Sequence, residues 1–256
     1  MIVFVTHFQK LKTEEKESIQ QLCIEFSEKD PDIYIKCLFE SCRLFHPDCR
    51  FFLLTDQTSS FSLPKDIEIV RFGLDRFKLR YSETVAQFTF LQKFEETDPI
   101  VLIDFDMLVQ ANLEVLFKPG HDVFLTIRKY PPWIPVNMGV AFINKGRASK
   151  ASELFNVILG YMLAMPEEKL IWGGSQLAIW NIIREQYFNL TPLHRDLIVH
   201  GIDIGLLNAD VYNFSTESVT MDGYYPEKKL LHFKGARKHY MPLYYEKYLV
   251  PHDLNS

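Results

Sequence analysis

Two acidic residues follow directly after the most apolar strand-like segment of the chain. Ile100 to Ile103 is an aliphatic run of the kind that is buried in parallel sheets, and Asp104-Phe105-Asp106 comes next. If the extended conformation lasts to Asp106, both carboxylates project to one side and Phe105 to the other. Two adjacent carboxylates repel each other unless a proton or a cation lies between them, and oxygen ligands suit Mn²⁺ or Mg²⁺. The spacing therefore indicates a divalent-metal site, with two solvated acids after a core strand as the alternative.

A second group of residues near the end of the chain supplies complementary chemistry. His232, Gly235 and Lys238 have the spacing His-x-x-Gly-x-x-Lys at the end of a predicted strand. A neutral imidazole can ligate a metal, a glycine lets backbone N–H groups approach a phosphate, and an ammonium group neutralises a diphosphate. Taken alone, such a histidine is more often a packed residue, and a lysine is usually solvated. Combined with the paired acids, the segment predicts a site for a metal and a diphosphate.

The elements that must position these residues alternate between strands and helices. This order predicts a parallel sheet whose ligand lies beyond the carboxyl ends of its strands, which is where the acidic pair falls. In the first half, the predicted strands are Met1–Val5, Phe51–Leu54, Asp66–Phe72 and Ile100–Ile103, and the helices are Thr13–Phe26, Ile33–Phe45 and Ser82–Phe94. In the second half, the strands are Val123–Ile127, Gly139–Asn144 and Lys229–Phe233, and the helices are Ser149–Leu163 and Ser175–Tyr187.

Composition and charge exclude several classes of protein. The chain has 256 residues and a net charge of −5 without a basic stripe, so we expect no nucleic-acid partner. The apolar start Met1–Val5 is too short for a signal peptide or a membrane span, and the four cysteines lack metal-site or disulfide spacing. These features predict a cytoplasmic protein with reduced thiols. The tyrosine-rich tail Tyr240–Tyr248 is expected to pack as a closing helix, with peripheral contact to a lipid surface as the alternative.

The combination of these motifs resembles the GT-A glycosyltransferases, and most closely their family 8, which includes glycogenin-like and bacterial lipooligosaccharide galactosyltransferase enzymes. The resemblance begins with Asp104-Phe105-Asp106 and the segment from His232 to Lys238. Three further segments fall in the expected order. They are Val3–Thr6, Val136–Asn144 with its Asn-x-Gly-Val pattern, and Trp172–Gln176.

The resemblance implies a fold and an activity for the whole chain. The expected fold is a single α/β GT-A domain over residues 1–256, with a Rossmann-like, mainly parallel sheet flanked by helices. Residues 1–106 would form the nucleotide-binding half, and residues 107–256 the acceptor half with a closing C-terminal segment. The implied reaction moves a hexose from a nucleotide diphosphate sugar, with UDP favoured, to a hydroxyl acceptor such as a glycan. The family retains the anomeric configuration.

The resemblance also implies roles for individual residues. Asp104, Asp106 and His232 would ligate Mn²⁺ or Mg²⁺. The remaining assignments are Gly235 and Lys238 on the diphosphate, Thr6, Phe105 and Arg80 around the nucleotide, and Asn137 and Gln176 near the transferred sugar. For Arg80, a solvated basic edge is the alternative.

One position departs from the family pattern. Ser175 stands where the family usually has an aspartate, and a serine cannot supply a negative charge. The departure implies a different donor sugar, an impaired enzyme, or another carboxylate in that role, such as Asp203 or Asp222.

Two other functions compete with this interpretation. A relative that binds a nucleotide-sugar without transferring it would explain Ser175. A phosphatase of the haloacid-dehalogenase type also carries Asp-x-Asp after an apolar strand, but usually near the chain start and with Thr or Val where this chain has Leu108.

Two tryptophans have a structural and a functional interpretation. Trp133 lies in a proline-rich loop before the Asn137 segment, where it could stack on an acceptor sugar or simply pack. Trp172 precedes two glycines, which suggests a mobile loop over the site or a wedge at a helix start.

Overall fold

The structure is a computed structural model that describes residues 1–11, 30–190, 197–215 and 223–250. The predicted helix Thr13–Phe26 and the candidate Asp222 therefore lie outside the described residues. Among the described helices, none is both long and apolar enough to cross a bilayer.

Ten strands build two sheets in the described part of the chain. In chain order they are β1 (Val3–His7), β2 (Arg50–Asp56), β3 (Ile67–Phe72), β4 (Ile100–Ile103), β5 (Met107–Val109), β6 (Val123–Ile127), β7 (Val136–Ile143), β8 (Leu197–Val199), β9 (Ile202–Asn208) and β10 (Leu230–His232). The large sheet has the order β3-β2-β1-β4-β7-β6-β9-β8, and β10 pairs with β5 in the small one. In the large sheet, β7 and β8 run opposite to the other strands.

Helices cover both faces of the large sheet. They are α1 (Pro31–Phe45), α2 (Leu79–Lys93), α3 (Ala148–Leu163), α4 (Glu167–Ile171), α5 (Gly174–Phe188), α6 (Ala209–Tyr212) and α7 (Tyr240–Tyr244). A 3₁₀ turn, Gly235–His239, precedes α7, and a π turn, Tyr245–Leu249, follows it. The predicted closing helix is thus confirmed, with Met241 and Tyr244 buried.

Successive side chains of β1 point into two hydrophobic cores, one on each face of the large sheet. Val3 belongs to the same buried cluster as Phe155 of α3 on one face, and Phe4 belongs to the cluster of Tyr34 of α1 and Met241 on the other. A strand that is buried on both faces is apolar along its buried length, which explains the apolar runs Val3–Val5 in β1 and Ile100–Ile103 in β4. Asp30 caps the amino end of α1, because its carboxylate accepts the Asp32 backbone N–H at 3.1 Å.

The predicted elements agree with the observed ones to within three residues. The largest shifts are at β7, which begins at Val136 and not at Gly139, and at α2, which begins at Leu79 and not at Ser82. The sequence does not predict the strands β5, β8 and β9 or the short helices α4 and α6. β5 and β8 have only three residues each, too few for a periodic pattern to be recognised.

A bulge in β7 shapes the backbone beside the acidic pair. Leu125 of β6 pairs with Ala141, but the next residue, Thr126, pairs with Asn137. The extra residues of β7 bend the strand, and the carbonyl oxygen of Gly139 accepts the backbone N–H of Asp104 at 2.8 Å. The bulge therefore ties β7 to the end of β4 at the predicted metal site.

Candidate metal centre

The acidic pair lies in a turn, not on an extended strand. β4 ends at Ile103, residues 104–106 form the turn, and β5 begins at Met107. The expectation that the extended conformation lasts to Asp106 is wrong, because the chain leaves the large sheet here to enter the small one. The small sheet brings the end of the chain to this turn, since His232 pairs with Met107 and the Phe233 N–H donates to the Asp106 carbonyl at 2.9 Å.

Three side chains converge at this turn. His232 Nε2 lies 3.1 Å from Asp106 Oδ1 and 3.4 Å from Asp104 Oδ2. One ligand atom from each of the three residues lies within 4.8 Å of the others, and Asp106 and His232 are buried. Lys238 Nζ is 2.9 Å from the second oxygen of Asp106. The two motifs that the sequence separates by more than 120 residues therefore form one cluster.

The electrostatics of the cluster fit a divalent cation. Burial, together with the nearby charges of Glu83 and Asp106, raises the pKa of Asp104 well above its usual range. For Asp106, burial alone would raise the pKa, but the charge of Lys238 holds it below its usual range. Burial lowers the pKa of His232 to about 4, so the imidazole is neutral at neutral pH and its lone pair is available. Two carboxylates and a neutral imidazole are a donor set for a divalent metal ion, and a cation there would relieve the repulsion between the acids.

Gly139 provides the space that the cluster needs. A Cβ atom at this position would lie 2.5 Å from His232 Cε1 and 3.1 Å from Asp104 Oδ2. Any other residue at position 139 would displace the imidazole. The Asn-x-Gly-Val pattern includes this glycine but predicts no role for it. The structure shows that the absence of a side chain leaves room for the His232 imidazole.

Arg80 and Phe105 lie beside the cluster. The Arg80 guanidinium is 2.6 Å from Glu83 and 3.8 Å from Asp104, and 39% of its side-chain surface is accessible to solvent. Phe105 packs edge-on against Phe8 with ring centroids 4.5 Å apart, and Lys238 Nζ lies 5.6 Å from the Phe105 centroid. These contacts place both predicted nucleotide-site residues next to the acids.

The other predicted residues lie on other elements of the fold. Thr6 Oγ1, at the end of β1, and Gln176 Oε1, on α5, are buried and have no hydrogen-bond partner among the described residues. Ser175 is half-buried at the start of α5. The Asn137 amide oxygen accepts the Gly139 N–H at 3.3 Å. Gly235 opens the 3₁₀ turn before Lys238 with φ 57°, a conformation that favours glycine.

Asp203 cannot replace the missing carboxylate at position 175. It lies at the amino end of β9, hydrogen-bonded to His121 Nδ1 at 2.7 Å. Because β9 runs in the same direction as β4, the amino end of β9 lies at the sheet edge opposite Asp104.

Trp133 and Trp172 are both exposed, with 64% and 52% of their surface accessible. Simple packing in the core therefore does not account for Trp133.

The comparisons with known proteins identify the fold. No protein-family model and no curated protein sequence matches this chain. Among solved structures, it matches a glycosyltransferase involved in the glycosylation of the major capsid of PBCV-1 with a TM-score of 0.55 and 11% identity, over 96% of this chain and 98% of that one. An active-site mutant of LgtC matches with a TM-score of 0.53 and 13% identity, over 91% of this chain and 87% of that one.

A third match covers only part of its partner. Apo GlyE, a glycosyltransferase of Streptococcus pneumoniae TIGR4, matches with a TM-score of 0.54 and 12% identity, over 95% of this chain and 59% of that one. The chain therefore has the mixed α/β fold of these glycosyltransferases, and the predicted fold class is confirmed. At such low identities the matches show the fold alone.

Proposed function

We propose that this chain is a metal-dependent glycosyltransferase that moves a hexose from a nucleotide diphosphate sugar, with UDP favoured, to a hydroxyl acceptor such as a glycan. The observation that carries the proposal is the convergence of Asp104, Asp106, His232 and Lys238 in a glycosyltransferase fold. In open α/β sheets, ligands bind beyond the carboxyl ends of the parallel strands, and this cluster directly follows β4.

Stabilisation of the leaving group is the main task of this site. Cleavage of the anomeric C–O bond leaves a nucleoside diphosphate with additional negative charge on its terminal phosphate. A cation held by the two aspartates and His232 supplies Lewis-acid stabilisation of that charge when it is bound. Lys238 places a further positive charge within reach of the same phosphate, and its interaction strengthens as the bond breaks. Gly235 allows the backbone to approach the diphosphate closely.

The remaining residues are proposed to hold the donor. Thr6 lies at the end of β1 with a buried, unpartnered hydroxyl, which suits a polar group of the nucleotide. Arg80 and Phe105 border the same region and would contact the nucleotide and its phosphates. Asn137 and Gln176 would contact the transferred sugar, and the unpartnered Gln176 Oε1 is available to accept a sugar hydroxyl. Retention of the anomeric configuration follows from the family resemblance.

Binding of the donor without transfer is the second candidate function. The observation that favours it is Ser175, because no carboxylate occupies the start of α5 and Asp203 lies at the opposite sheet edge. Turnover of nucleotide-sugars with Mn²⁺, with and without chelator, separates the two candidates. Transfer or hydrolysis that stops with chelator supports the enzyme, whereas binding without turnover of any donor supports the second candidate. Phosphate release without an acceptor sugar would instead favour a phosphatase.

Calorimetric titration of UDP in the presence and absence of Mn²⁺ tests the proposal. We expect UDP to bind more tightly with Mn²⁺, and we expect Asp104→Asn and Asp106→Asn each to abolish that gain. Asp203→Asn is the matched control, because it alters another carboxylate–histidine pair at the far sheet edge. Unchanged metal-stimulated binding in both site variants would refute the proposed function.

A further inference from the structure

A buried chain of hydrogen bonds leads from β7 to His232. Thr126 Oγ1 donates to the Asn137 carbonyl oxygen at 2.7 Å. Asn213 Nδ2 lies 3.2 Å from the same carbonyl oxygen and 2.9 Å from Thr126 Oγ1, and Asn213 Oδ1 lies 2.8 Å from His232 Nδ1. All four residues are at least nine-tenths buried, so water does not compete for these bonds.

The chemistry of these partners fixes the direction of every bond. The Asn137 carbonyl oxygen can only accept, so the atom of Asn213 that faces it must be the amide nitrogen. The Thr126 hydroxyl gives its single proton to that carbonyl and therefore accepts from the same amide nitrogen. The opposite amide orientation would place two acceptors 3.2 Å apart in a buried site. Asn213 Oδ1 therefore faces His232 Nδ1, which must carry the proton.

The position of this proton determines what His232 presents to the acids. A neutral imidazole protonated at Nδ1 has its lone pair on Nε2, and Nε2 is the atom that lies 3.1 Å from Asp106 and 3.4 Å from Asp104. This lone pair faces two carboxylate oxygens, and the arrangement becomes favourable when a cation lies between the three groups. If the proton were on Nε2 instead, His232 would donate to Asp106 and could not ligate a metal through that nitrogen.

We propose that Asn213 is a positioning residue that holds His232 in the tautomer and orientation required for metal binding. The inference rests on the proposed metal-dependent function. Groups that hydrogen-bond a ligating imidazole orient its ring, and their loss typically weakens metal binding by about 10- to 100-fold. No feature of the sequence around Asn213 identifies this role, because its partners come from three distant strands.

The first experiment is a calorimetric titration of the purified chain with Mn²⁺ alone. We expect Asn213→Ala to weaken Mn²⁺ binding by about 10- to 100-fold. We expect Asn213→Asp to stay within about threefold of the wild type, because a carboxylate still accepts the Nδ1 proton, although its second oxygen faces the Asn137 carbonyl and should lower the melting temperature. A merely structural role would make affinity follow stability in both variants, and that result would overturn the proposal.

Asn144→Ala provides the matched control. Asn144 is also buried, and its amide nitrogen donates to the carbonyl oxygens of Lys118 and His121 far from the acids. This variant should lose stability without loss of Mn²⁺ affinity. Native Mn²⁺ affinity in Asn213→Ala would contradict the proposal.

A measurement without metal separates this inference from the proposed function. Nitrogen-15 NMR of the metal-free chain should show His232 protonated at Nδ1, and Asn213→Ala should shift the ring toward the Nε2 tautomer. A wild-type ring that carries its proton at Nε2 and none at Nδ1 would overturn the role of Asn213. Nδ1 protonation without any Mn²⁺ binding would instead refute the metal-dependent function and leave the positional inference intact.

Discussion

Substitution of Gly139 by alanine adds one methyl group at the point where β7 passes the acids. The new Cβ atom would lie 2.5 Å from His232 Cε1 and 2.7 Å from His232 Nδ1. Ordinary carbon contacts begin near 3.4 Å, so the imidazole must move by about 1 Å. His232 cannot retreat freely, because Asn213 Oδ1 is hydrogen-bonded to its Nδ1 at 2.8 Å.

A displacement of this size is several times the tolerance of a metal–nitrogen bond. Ligand distances in metal sites vary by about 0.2 Å, so the shifted imidazole cannot remain a ligand. We expect Gly139→Ala to weaken Mn²⁺ binding by about 100-fold, the upper end of the range for disturbed ligand geometry. The overpacking should also lower the free energy of unfolding by about 1–3 kcal/mol. Calorimetric titration with Mn²⁺ and urea denaturation measure the two effects.

Gly160→Ala is the matched control for this change. Gly160 lies exposed in α3, with no atom within 4 Å of the position of an added Cβ. The substitution should leave Mn²⁺ binding unchanged and stabilise the helix by about 0.5–1 kcal/mol. If Gly139→Ala bound Mn²⁺ like the wild type, His232 would not be a ligand at the observed position, and the reasoning would be refuted.

Three further changes test the diphosphate site, a local hydrogen-bond network and the core. Lys238→Met removes the positive charge beside Asp106, so Mn²⁺ alone should bind at least as tightly while UDP with Mn²⁺ binds about tenfold more weakly in calorimetry; parallel losses would contradict the role on the diphosphate. Burial opposes ionisation of Asp56, but hydrogen bonds from Ser59 and its neighbours lower its pKa to about 2. The resulting stabilisation is present above the ordinary carboxyl pKa and is lost as the pH falls toward 2. Asp56→Ala should therefore cost about 2 kcal/mol in urea denaturation at pH 7, and markedly less near pH 2.5; a cost independent of pH would contradict this assignment. Phe155→Ala opens a cavity in the core and should cost about 3–5 kcal/mol of unfolding free energy, and a cost below about 1 kcal/mol would contradict its burial.

The sequence predicts the clustered side chains because their residue types and their positions after strands indicate a binding site. Asp104 and Asp106 follow a buried strand, and the carboxyl ends of such strands form the binding edge of a sheet. His232 and Lys238 could be added because their types complement the acids and because the motif resembles a known family. The geometry of the turn could not be predicted, because after β4 the chain leaves the large sheet and β5 pairs with β10 in the small one.

The supporting residues could not be predicted, because their roles depend on contacts between distant segments. Asn213 and Thr126 are 87 residues apart in the sequence. Their hydrogen bond depends on how the fold places β6 and its bulged partner β7. A similar reason explains why the sequence does not predict β9. Gly205 interrupts its pattern, and only the structure shows that Phe124 occupies the space above this glycine, where a Cβ would lie 2.4 Å from its ring.

The central claim is that Asp104, Asp106 and His232 together hold one divalent cation. Electron spin-echo spectroscopy of the chain loaded with Mn²⁺ tests it directly, because a ligated imidazole gives a nitrogen-14 coupling that oxygen ligands do not. We predict one bound Mn²⁺ per chain with a nitrogen coupling that disappears in His232→Ala. A spectrum of wild-type Mn²⁺ without nitrogen coupling, or a coupling that persists in His232→Ala, would contradict the claim.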